Sequence, residues 1–198
     1  MSDQRARDLE REWKQTGTVE AEAGYLLERV RAGELPRERL ELAAYCGNEA
    51  ACVATRSAAP PYTLDPRIWI MGLARGRTVV AWRAALAVLA AAPHAADRVL
   101  DLGVDSPTPE ELIRVVSEWL LAPERTLDCT IPMHGWPVER PLREPPVWLE
   151  ALAIIGDATH SLGGDSALGL IRQELTNWAL GLADRVRERL DRTADSSG

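Results

Sequence analysis

The polar and apolar positions of this chain fall into a succession of short helical periods, and one stretch stands apart because it has no polar side. Thr78 to Ala92, TVVAWRAALAVLAAA, carries a single charged residue, Arg83. Its apolar residues go all the way round a helical wheel, as expected of a helix enclosed by others. Ala81, Ala84, Ala85, Ala87 and Ala90 favour helix and let neighbours approach closely. Thr78 can cap the start, and Pro93 denies the next turn an amide donor. The pattern predicts a central helix with Trp82 fully buried near its middle.

Before it, Ser2 or Asp3 caps a first helix that runs to about Gln15 and stops at Gly17. A second starts near Thr18 with the stripe Ala23, Leu26, Leu27 and Val30, and Gly33 takes the left-handed closing position. Pro36 opens a third at the first helical position, where its missing amide costs nothing. Leu40, Ala43, Ala44 and Gly47 line one side of it. Asn48 caps a fourth helix through about Arg56. Ser57 to Asp65, with Pro60-Pro61, breaks the register, and Asp65-Pro66 restarts a helix with Ile68, Trp69 and Leu73 inward, before Gly76.

After Pro93 a short helix to about Leu102 is expected. Thr108 and Glu111 form a capping box around Pro109, ahead of the apolar face Leu112, Val115, Val116, Trp119 and Leu120. Ala122 to Glu144 holds Pro123, Pro132, Pro137 and Pro141 and reads as a long proline-rich loop. Helix returns at Pro145-Pro146 with Trp148, Leu149, Leu152 and Ile155 inward, and ends before Gly163-Gly164. A last helix begins at Asp165 or Ser166, and Leu168, Ile171, Leu175, Trp178 and Leu182 make a heptad-like seam along it. Thr193 to Gly198 is a tail. No strand signal competes. The expected fold class is all-α: a single compact multi-helix domain over 1–198, with about eight or nine helices. Its blocks are N-terminal helix pairs (1–57), central helices (58–121), the loop (122–144), a C-terminal hairpin (145–192) and the tail (193–198).

With 198 residues, 46% of them hydrophobic, the chain is long enough for a full core. The net charge of −7 and the interleaving of Arg with Glu and Asp in REREWK, LPRERLE and RVRERLDR argue against a nucleic-acid surface. MSDQRARDLEREWK lacks the apolar centre of a secretory signal, and Thr78–Ala92 is too short to span a membrane. Three cysteines make no disulfide framework, so the expected location is cytoplasmic. Arginine in place of nearly all lysine, with abundant alanine, reflects a GC-rich bacterial coding bias.

The chemistry-bearing residues are sparse. Cys46, Cys52 and Cys129 and the three histidines show no CxxC, HxxxH or HExxH spacing. Cys46 and Cys52 lie among Ala and Val, where a thiol behaves as a small buried hydrophobe. Neither a metal nor any other cofactor is expected. The alternative is a small metal- or redox-dependent protein using Cys129 and His134, with Cys46 or His160. Asp157 and His160, three apart, could form an acid–base pair, but a histidine at a helix C-terminus is explained by the dipole. No catalytic residue is assigned, and an enzyme is the less favoured reading. The loop supplies the binding candidates: Met133, His134, Trp136 and Arg140, in a proline-stiffened segment with a tryptophan anchor. In the competing reading, Trp136 covers the core.

Leu40–Ala54, LELAAYCGNEAACVA, resembles the helix–Gly–Asn–helix core of an ankyrin-type repeat, and a HEAT-like helix pair equally well. The resemblance covers about one repeat, without a second copy or a Thr-Pro-Leu-His opening. The whole chain resembles a group of all-helical proteins of GC-rich bacteria, through AGYLLERVRAGEL, LELAAYCGNEAA and NWALGLADRVRERL. That resemblance implies the fold and brings no function with it. The resulting expectation is a non-catalytic helical module that binds another protein. A narrower version is an immunity or regulatory protein that caps a toxin or effector.

Overall fold

A computed structural model of the chain describes residues 2–59, 66–74, 78–92, 109–121 and 145–183. Among these residues there are nine helices and no strand, so the chain is all-α as its periodicity predicts. They are α1 (Ser2–Thr16), α2 (Val19–Arg31), α3 (Arg37–Tyr45), α4 (Glu49–Thr55), α5 (Pro66–Ala74), α6 (Thr78–Leu89), α7 (Pro109–Leu121), α8 (Pro145–Leu162) and α9 (Gly164–Leu180). The short helix expected after Pro93, the Thr108 half of the capping box, the proline-rich loop and the tail lie outside the described residues. The helices gather into two compact units, Met1–Leu64 with Leu175–Ala183, and Asp65–Glu174 with Asp184–Gly198.

In the first unit α2 packs against both α1 and α4, and α3 packs against α4. Local chemistry sets where these helices begin. The Thr18 hydroxyl accepts from the Ala21 amide at 3.3 Å, and Asn48 Oδ1 accepts from the Ala51 amide at 2.8 Å. Pro36 stands one position earlier than expected, as the cap itself, with ψ 137 keeping it outside the helix. Three of the closures share one geometry. At Gly33, Gly47 and Arg56 a left-handed residue lets its own amide and the next one bond back to carbonyls of the last turn. Arg56 is the exception in type, with φ 57 and a side chain.

The core of this unit is built largely from small residues. Ala23, Leu26, Leu40, Ala43, Ala44, Ala50 and Ala51 are buried, together with Leu175, Ala179 and Leu180 from the end of α9. Small side chains let short helices approach until their backbones nearly touch, which keeps packing dense without large side chains. One expected core position fails. Leu27 is 36% exposed, while Glu28, the next residue, is buried. Ala23 and Leu26 of the expected stripe are buried, with Ala21 and Glu28 buried beside them, whereas Leu27 faces out and Val30 is half-buried on this helix, which packs against α1 and α4.

In the second unit α6 is the hub, packing on α8, α7 and α5, with α5 also on α8. Residues 80–86 of α6 are all buried, Trp82 with 0% exposure, as the all-round apolarity requires. The helix ends at Leu89 and passes into a turn at Ala90 and Ala91, both exposed, so it stops a few residues short of Ala92. The large buried side chains of this unit include Leu86 and Leu89 of α6 itself and Trp69, Val116, Ile154, Ile155 and Ile171 of the other helices.

The last helix is shorter than expected. It stops at Leu180 because Gly181, φ 69, closes it with the Gly181 amide on the Trp178 carbonyl and the Leu182 amide on the Asn177 carbonyl. Leu182 therefore leaves the seam and is 54% exposed, whereas Leu168, Ile171 and Leu175 are buried. Its start is also displaced by a residue, to Gly164.

Candidate functional site

The residues singled out from sequence are distributed unevenly over the described structure. Cys129, Met133, His134, Trp136 and Arg140 fall outside the described residues. His160 stands exposed in the last turn of α8, at the negative end of the helix dipole. Asp157 lies in the same helix one turn earlier. Cys46 is buried, as expected. Cys52, expected to be buried, is half-buried: α4 has only seven residues and turns Ala50 and Ala51 inward, which leaves Cys52 at its flank. There its Sγ donates to the Ala44 carbonyl at 3.4 Å. Among the described residues no three of His, Cys, Asp and Glu come together in a way that could hold a metal ion.

What the first unit does bring together is a set of arginines, aromatics and one buried carboxylate, which sequence spacing did not reveal. Trp13 of α1 stacks on Tyr25 of α2, with ring centres 5.5 Å apart and planes 18° from parallel. Arg29, one turn on from Tyr25, lies 5.8 Å from the centre of that ring and donates through Nη1 to the Leu180 carbonyl at 2.8 Å. That carbonyl belongs to the last turn of α9, where no further turn supplies a donor. The positive guanidinium also suits the negative end of that helix. A Cβ on Gly181 would sit 3.6 Å from Arg29 Nη2, so the closing turn lies directly against this side chain. Arg39 of α3 covers the other feature of this helix end, with its guanidinium 4.6 Å from the Trp178 ring centre. The sign of a cation over an aromatic face is favourable, and desolvation strengthens it.

Glu28 is the buried carboxylate. Its Oε2 lies 3.2 Å from Arg31 Nη1 and 3.6 Å from Arg5 Nε, and both arginines are largely exposed. One shared oxygen thus joins α1 to α2 and holds two cationic side chains at the surface. Beside Arg5 a shallow groove of about 490 Å³ runs along α1, lined by Gln4, Arg5, Asp8, Leu9 and Glu12. Asp8 in this groove accepts from Gln4 Nε2 and Arg11 Nη1, each at 3.2 Å. The groove's polar groups are engaged mainly with their own helix and with α2.

The electrostatics of the surface helices are local. Lys14 Nζ donates to Glu10 at 2.6 Å, which draws the Glu10 carboxyl below and the Lys14 ammonium above their ordinary ranges. Glu22 of α2 is displaced upward because partial burial penalises its charge. In the second unit Arg83, Ser117 and Glu174 are buried within the apolar core, and Arg172 lies 5.0 Å from the Trp69 ring centre. The Trp82 Nε1 and Ser117 Oγ atoms have no hydrogen-bond partner among the described residues.

The described helices include none long and apolar enough to cross a membrane. In comparisons with known proteins the chain matches no family model, no curated protein and no solved structure.

Proposed function

We propose that this chain is a non-catalytic helical module that binds another protein, in the manner of an immunity or regulatory protein that caps a toxin or effector. The observation that carries this reading is the outer surface of the first unit. There large aliphatic side chains face solvent, Val53 of α4 at 50% exposure and Leu27 of α2 at 36%, while charged side chains of α2 and α3 pair within the unit, Arg31 with Glu28 and Arg37 with Glu41. Apolar side chains on the surface of a helical scaffold gain free energy when a partner covers them, and neighbouring charges already fixed in ion pairs lose little order on association. The net charge of −7 favours a protein partner with a basic surface over nucleic acid. The loop residues Met133, His134, Trp136 and Arg140 are the proposed second part of the contact.

The test is chemical cross-linking of the tagged chain in its host, identification of the cross-linked protein, and titration of the two purified proteins. Val53→Asp should weaken that complex about tenfold or more, a loss of about 1.4 kcal/mol or more, at an unchanged melting temperature. Trp136→Ala reports on the loop in the same assay. Stoichiometric zinc in the chain purified without a histidine tag, lost on changing Cys129 or His134, would replace this reading with the metal-dependent one.

A further inference from the structure

We draw no further inference here: the strongest candidate, the shallow groove along the first helix lined by Gln4, Arg5, Asp8, Leu9 and Glu12, carries both signs of charge with Arg5 and Asp8 already engaged by Glu28, Gln4 and Arg11, and nothing in the structure shows what covers it.

Discussion

The two units of this chain reach a helical core by different means. The second unit relies on volume. Trp82, Leu86 and Leu89 of its central helix α6 are fully buried, and so are Trp69, Ile154 and Ile155 from the other helices of this unit. The first unit relies on termination and tethering. Its helices α3 and α4 have nine and seven residues, lengths at which an isolated helix is unstable in water. Its core is mostly alanine, so each buried side chain contributes less apolar area than a leucine or tryptophan would. What it has in addition are side-chain caps at Thr18 and Asn48, left-handed closures, the Glu28 pairings and the arginine contacts to the end of α9. The difference teaches that short helices with a small-residue core become a defined structure when their ends are satisfied.

The largest effect should come from the centre of the second unit. Trp82→Ala removes a fully buried aromatic and should cost about 3–5 kcal/mol in denaturant unfolding. Amide exchange should then accelerate in α5 to α8 before it does in α1 to α4. Equal acceleration in all of them would mean that the two units open together, and the contrast between them would lose its energetic meaning.

Next is the tether. Arg29→Ala removes the donor to the Leu180 carbonyl and the cation over Tyr25, and should destabilise the protein by about 1.5–3 kcal/mol, the range for a hydrogen bond from a charged group. Exchange at the Gly181 and Leu182 amides should rise most, since they close the same turn. An unchanged melting temperature would show that the buried Leu175, Ala179 and Leu180 hold this helix end without help.

A smaller effect of opposite sign is expected where α4 closes. Arg56 adopts φ 57, a conformation that costs a residue with a Cβ and costs glycine little. Its side chain is exposed, so Arg56→Gly should raise stability by about 0.5–1 kcal/mol, measured as a shift of the denaturation midpoint. A loss of stability would mean that the arginine side chain contributes more than its backbone costs.

The smallest effect is pH-dependent. Burial raises the Glu22 carboxyl above its unfolded value, so the folded chain holds this proton more tightly than the unfolded chain does. The contribution to stability is fully present below the unfolded pKa and is lost as pH rises through the folded one. Glu22→Gln should therefore be slightly stabilising at neutral pH, by a few tenths of a kcal/mol, and the gain should vanish in acid. A gain that is the same at both ends of the pH range would assign the effect to packing instead of ionisation.

Much of the local structure is readable directly from residue types. Thr18 and Asn48 cap as their side chains suggest, Gly17, Gly33 and Gly47 take positive φ at helix ends, and α6 is buried on every side. These signals act within about four residues, so a linear reading contains all of their physics. Gly181 is the same kind of signal, and a heptad-like spacing through Leu182 passes over it; the helix ends at the glycine.

What the amino-acid sequence determined by itself is therefore the helical class, the helix starts and most of the stops, and the identity of the most buried helix. Only the tertiary structure decided that Glu28 and not Leu27 faces inward, that the last turns of α9 complete the core of the N-terminal helices, and that Arg29 and Arg39 meet Leu180 and Trp178. The physical reason lies in range. A cap or a left-handed glycine satisfies bonds that its own neighbours leave open. A helix face is buried only by whatever packs against it, and a guanidinium finds its carbonyl some 150 positions away only after the chain has folded.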